Sequence, residues 1–178
     1  MVVNEDFYSK DAVTVAKNLI GKSLKRKINN QIIEVKIVET EAYMGAEDKA
    51  SHAYNKKKTK RTEKMFVKGG TAYIYLIYGM YYCFNIVTES KEKPQAVLIR
   101  AVEPVSGLEI IENNRNIKSD KKEDLTNGPG KLCQALSINK SLNGVNLVNS
   151  EKLYIEKVEN NNFEIGKGKR INIDYAEE

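Results

Sequence analysis

The sequence predicts an α+β protein built on one dominant antiparallel sheet. Three observations carry that expectation. Short β-rich runs outnumber helical ones, most follow one another along the chain, and one tyrosine-rich pair closes on a glycine. The chain of 178 residues is long enough for a true core, and no repeat or Pro/Gly/Ser-rich linker divides it, so a single domain over 1–178 is expected.

Ser9 to Ile20 reads as a helix, with Ala12, Val15, Ala16 and Leu19 on one face and Gly21 as its stop. Gln31 to Ala42 alternates as a strand. Counted without interruption, Val35, Ile37, Glu39, Glu41 and Tyr43 share one side. Met44 to Lys64 is a polar loop, and from Lys56 to Lys68 the chain carries seven basic residues against one acid, Glu63. Thr71 to Ile77 and Tyr81 to Val87 flank Tyr78-Gly79-Met80, a hairpin signal. Gln95 to Val102 is a further strand. Ser106-Gly107-Leu108-Glu109 has the capping-box pattern and opens a helix to about Asn113. Asn114 to Gly130 is a charged loop, and Gly128-Pro129-Gly130 opens a short helix over Lys131 to Leu136. Leu147, Leu153 to Val158 and Ile171 to Ile173 read as short strands.

Composition narrows the function classes. With 29 Lys and Arg against 24 Asp and Glu the net charge is +5, which permits nucleic-acid binding without requiring it. Cys83 and Cys133 lie far apart in apolar runs and read as reduced core thiols. One His and two scattered Cys cannot build a zinc site of the usual spacing, so no metal is expected. No apolar run reaches the roughly 18 residues of a membrane span, and the acidic start Met1-Val2-Val3-Asn4-Glu5-Asp6 is unlike a signal peptide. A cytoplasmic protein without a membrane partner is the expectation.

Several residues could carry chemistry. Glu41 ends an apolar strand, so it stands either at the sheet rim in water or in a cleft, and Glu39 competes with it. Tyr78 at the hairpin tip either folds back on its own hairpin or projects as a wedge. His52, the only histidine, is a solvated loop residue or a ligand contact. Gly128-Pro129-Gly130-Lys131 is a simple capped turn or an anion contact; it is not a P-loop, because no Ser or Thr follows the lysine. The lysine-rich loop is a solvated surface or a track for a phosphate backbone.

The order of these motifs is the discriminating feature. Glu39-Thr40-Glu41-Ala42-Tyr43 is followed by Gly45, Glu47-Asp48, His52, Met65-Phe66, the run Tyr73 to Tyr81, Asn85, Leu98 to Pro104, and Gly128 to Leu136. This series closely resembles the alkyladenine (3-methyladenine) DNA glycosylase family of the mammalian type, from about residue 5 to the C-terminus. The resemblance implies a single domain on a curved antiparallel sheet, with a β-hairpin projecting into the DNA minor groove. It implies Glu41 as the general base that activates water, with Arg100 and the Ile171 backbone carbonyl helping to hold that water. Tyr43, His52 and Tyr75 would sandwich the flipped base, and Asn85 would crowd the exocyclic amino group of guanine. Tyr78 would intercalate and Lys131 would lie near the DNA backbone; Arg61 and Lys68 of the basic loop, with Met65 between them, are the other expected DNA contacts. The family pattern also implies a continuation beyond Tyr175-Ala176-Glu177-Glu178 with a Trp, a residue this chain lacks.

The implied activity is monofunctional hydrolytic excision of alkylated or deaminated purines from double-stranded DNA, by a monomer, with no cofactor. A non-catalytic nucleic-acid-binding module would use the same basic loop and tyrosines, but would have no need of Glu41 beside an aromatic slot.

Overall fold

Six strands, β1 (Ser23–Ile28), β2 (Gln31–Tyr43), β3 (Ala72–Ile77), β4 (Tyr81–Thr88), β5 (Gln95–Ser106) and β6 (Leu153–Glu156), form one curled antiparallel sheet in the order β3-β4-β5-β2-β1-β6. Among the described residues four short α-helices accompany it: α1 (Glu5–Tyr8), α2 (Ala12–Leu19), α3 (Leu108–Arg115) and α4 (Pro129–Ala135). The computed structural model describes residues 1–158 and 162–176. Helices on an antiparallel sheet make the α+β class predicted from the sequence.

Helix α2 begins later than its apolar pattern suggested. Asp11 is the N-cap: its carboxylate accepts from the Thr14 amide at 2.9 Å and the Thr14 hydroxyl at 2.6 Å. Such a cap stabilises by about 1 kcal/mol. Ala12, Val15, Ala16 and Leu19 are buried, as the spacing required; full burial of Val15 and Leu19 is worth about 1.5–3 kcal/mol each. Gly21, at φ 80°, ends the helix and turns its amide to the Ile37 carbonyl. The capping box at Ser106 does not form. Strand β5 continues through Ser106, and Gly107 occupies the N-cap of α3 with no side-chain capping bond.

Strand β1 was hidden in the sequence because four of its six residues are basic or polar: Ser23, Lys25, Arg26 and Lys27. Ladders to β2 and β6 fix it, and Lys25 reaches Glu34 and Glu156 on the two flanking strands. Leu147 belongs to no strand, since the neighbouring Asn146 makes only an isolated bridge with Thr71. Ile171 to Ile173 likewise form no strand.

The largest correction concerns β2. Pairing with β5 runs Ile37 to Val102, then Glu39 to Ala101, then Thr40 to Ile99, so the register is broken around Val38 and Glu39. A bulge of this kind reverses which face the following residues address. Ile33, Val35 and Ile37 face the main core, and so do Thr40, whose hydroxyl donates to the Ala16 carbonyl, and Ala42. Glu41 and Tyr43 face the other way. The expectation that Val35, Ile37, Glu41 and Tyr43 share one side fails for this reason.

Candidate active site

On the face opposite the main core the sheet forms the floor of a cleft of about 520 Å³. Four of the strands contribute alternate residues: Tyr73 and Tyr75 from β3, Cys83 and Asn85 from β4, Ala96, Leu98 and Arg100 from β5, Glu41 and Tyr43 from β2. The Ser51-His52 loop and residues 171–173 close its sides, and the N-terminal turn of α4 lines its far end. Gly45 permits the loop to leave β2. Its φ is +76°, and a Cβ there would stand 2.5 Å from the Pro94 carbonyl oxygen.

Glu41 is only 6% exposed, which settles the choice between rim and cleft. Its Oε1 accepts from the Ile171 amide at 2.9 Å and lies 3.4 Å from Arg100 Nη1. Its Oε2 accepts from the Tyr43 hydroxyl at 2.9 Å. Two hydrogen bonds and one guanidinium charge therefore compensate a buried carboxylate, as burial of such a group demands. The contact seen with Ile171 is through its N–H. Arg100 also holds Glu39 through Nε at 3.2 Å, and Glu39 itself stays exposed.

Tyrosines dominate the wall. His52 Nδ1 lies 2.9 Å from the Tyr73 hydroxyl, and the His52 ring meets Tyr75 edge-on with centroids 4.6 Å apart. Burial raises the Tyr73 phenol to about 12. Tyr75 and Tyr43 are pushed up further, again by burial first, with Cys83 and Glu41 respectively adding to it. All three remain protonated donors at neutral pH. The His52 imidazole is held below its ordinary range by desolvation and by the Arg61 charge, although its edge still meets solvent. Asn85, 4% exposed, donates to the Tyr73 carbonyl at 3.2 Å.

The hairpin tip stands free. Tyr78 is 77% exposed, and nothing lies within 4 Å of where a Gly79 side chain would begin. Tyr78 and Gly79 both have positive φ, 53° and 70°, and the Met80 amide closes the turn on the Ile77 carbonyl. Two central residues of positive φ match the twist of a hairpin.

The four residues expected to meet DNA separate in space. Lys131 lines the far end of the cleft, bonded to Asn127. Arg61 packs its guanidinium 5.2 Å from the centre of Tyr75. Met65 is 2% exposed, in a cluster with Ala53, Phe66 and Tyr73, so it backs the wall of the cleft. Lys68 pairs with Glu5 and does not line the cleft.

Sequence reasoning missed Asp48 and Arg170, which form an ion pair at the edge of the site. Burial opposes the charge of Asp48, but Arg170 and the Met44 and Ala50 amides outweigh it and hold the carboxyl below the usual range. Asp48 stood within the recognised motif series. Arg170 lay in the run Gly166-Lys167-Gly168-Lys169-Arg170, where nothing local distinguishes it from solvated lysines.

A protein of Natranaerobius thermophilus named "Putative 3-methyladenine DNA glycosylase" is 54% identical over 179 residues, covering 100% of this chain and 90% of the relative. Proteins of the same name from Clostridium perfringens strain 13 and Desulfitobacterium hafniense are each 50% identical, covering 100% and 99% of this chain and 91% and 89% of their own lengths. These relatives are bacterial. The profile of the methylpurine-DNA glycosylases matches residues 6–178, and the chain belongs to that family.

Proposed function

We propose that the protein hydrolyses the N-glycosidic bond of alkylated or deaminated purines, such as 3-methyladenine, 7-methylguanine and hypoxanthine, in duplex DNA. One observation carries the reading: a carboxylate 6% exposed, oriented by Tyr43, Ile171 and Arg100, at the base of a tyrosine-walled cleft.

A target base must leave the stack, at a cost of a few kcal/mol. Tyr78, projecting from the hairpin, fills the gap left behind. The extruded base enters between Tyr43, His52 and Tyr75. Aromatic stacking returns roughly 1–3 kcal/mol per base. For bases that carry a positive charge after alkylation, the electron-rich ring faces add about 0.5–2 kcal/mol. Asn85, buried beside Tyr73, limits the room for exocyclic groups. Glu41 then takes a proton from a water whose oxygen bonds to C1′ as the C1′–N bond breaks, and its charge stabilises the cationic sugar. General-base assistance of this kind is worth roughly 10²–10⁴ in rate. A cationic base leaves as a neutral molecule, a neutral one such as hypoxanthine takes up a proton from solvent as it leaves, and the products are the free base and an intact abasic strand.

The test is a duplex oligonucleotide containing one hypoxanthine or one 7-methylguanine, incubated with enzyme and analysed by chromatography for released base. Release from lesion duplex, with the strand uncut until alkali is added, supports the reading. Binding without any release would make the protein a recognition module.

A further inference from the structure

The C-terminal segment meets the site through a buried ion pair, and beyond it through Ile173 and Ala176, which pack with Ala50 against Tyr43. Arg170 grips Asp48 with both prongs, Nη1 to Oδ2 at 2.5 Å and Nη2 to Oδ1 at 3.1 Å. Asp48 is 4% exposed and is itself fixed by the Met44 and Ala50 amides, each at 2.9 Å. The same Nη1 donates to the Ala42 carbonyl at 3.1 Å, and the guanidinium carbon lies 4.9 Å from the centre of the Tyr43 ring. One planar cation thus touches β2 between Glu41 and Tyr43. The very next peptide places its N–H on Glu41 Oε1. Residues 162–173 contain neither helix nor strand, so no backbone ladder sets the position of that amide.

We infer that Arg170, locked by Asp48, is a positioning residue for base excision: it sets the Ile171 N–H on Glu41 and so aims the carboxylate into the cleft. The inference rests on the glycosylase reading proposed above. A freely moving 162–173 segment would leave Glu41 with one donor fewer and an unfixed direction. Misplacement of a reacting group by about 1 Å can cost on the order of 10² in rate. Losing a donor to the charged form also favours protonation, moving the acid limb of the rate profile to higher pH. A planar fork is needed for the two-pronged grip, so lysine is an incomplete substitute.

The experiment compares wild type with Arg170→Gln, Asp48→Asn, the double variant and Arg170→Lys. Single-turnover excision of hypoxanthine and its pH profile are measured, with hydrogen exchange of the peptide containing Ile171. Arg170→Gln and Asp48→Asn should each lose about 10- to 100-fold in rate, with the acid limb shifted upward and Ile171 exchanging faster while β2 and β5 keep their protection. The double variant should lose no more than the worse single one, because both remove the same contact. Arg170→Lys should fall between wild type and Arg170→Gln. Unchanged exchange at Ile171, an unshifted pH profile, or losses that multiply in the double variant would overturn the inference. Wild-type enzyme that releases no base would instead overturn the glycosylase reading, and with it the catalytic sense of the clamp, whereas the exchange result separately decides whether the pair holds the Ile171 peptide.

Discussion

The Tyr43 hydroxyl donates to Glu41 Oε2 at 2.9 Å from two residues along the same strand face. One side chain thereby serves as both wall of the cleft and orienter of its carboxylate. Glu41→Gln keeps the shape and loses the basicity. Its single-turnover excision rate should fall by at least about 10², while affinity for lesion duplex stays within a few-fold. Retention of a tenth of the wild-type rate would remove Glu41 from the role of base.

Tyr78→Ala should weaken binding to lesion duplex far more than it slows excision from single-stranded or mismatched DNA. Only a paired stack has to be held open by a wedge. Equal losses on both substrates, measured by titration and single-turnover assay, would assign the tyrosine to the pocket instead.

His52 gives a clean pH readout, because the chain contains one histidine. Its proton NMR signal should titrate with a midpoint below 6.5, and Arg61→Gln should move that midpoint upward by removing the nearby charge. The unfolded chain then binds this proton first as pH falls. His52 therefore contributes a loss of stability that begins near pH 6.5 and grows down to the folded midpoint. Replacing His52 with Gln should flatten that part of the stability curve in denaturant titrations at successive pH values.

The two lysines separated by the fold should behave differently toward salt. Lys131→Ala, at the cleft, should reduce the slope of log affinity against log salt by about 0.9 in magnitude. Lys68→Ala should leave the slope unchanged, since that side chain is paired with Glu5 away from the cleft. Identical slopes for both variants would place the DNA on another face.

Borohydride added during turnover should trap no protein–DNA adduct. Strand-nicking glycosylases attack C1′ with a lysine amine whose pKa is depressed. Among the described residues the one lysine lining the cleft is Lys131, which is exposed and bonded to Asn127. A stoichiometric adduct lost in Lys131→Ala would replace water with that amine as the nucleophile.

Much of this architecture could be read along the chain, because local signals encode it. The hairpin follows from two β-rich runs around Tyr78-Gly79, and α2 from four apolar residues at helical spacing. The features that stayed hidden depend on partners remote in sequence. Lys25 and Arg26 look like a solvated stretch until Glu34, Glu156 and the Leu136 carbonyl come beside them. Asp48 and Arg170 are separated by 122 positions, and neither announces the other. The bulge in β2 carries no Gly or Pro to mark it, so uninterrupted alternation gave the right residues and the wrong face.

That bulge makes the backbone path of β2 as binding a requirement as the identity of its residues. Straighten the strand with Val38 retained, and the phase of everything downstream reverses. Thr40 and Ala42 would then address the cleft, and Glu41 and Tyr43 would be driven among Val15, Leu19 and Val97. An unpaired carboxylate in such surroundings costs several kcal/mol, comparable with the whole stability margin of a domain. A β2 without its irregularity would therefore remove the site and the fold together.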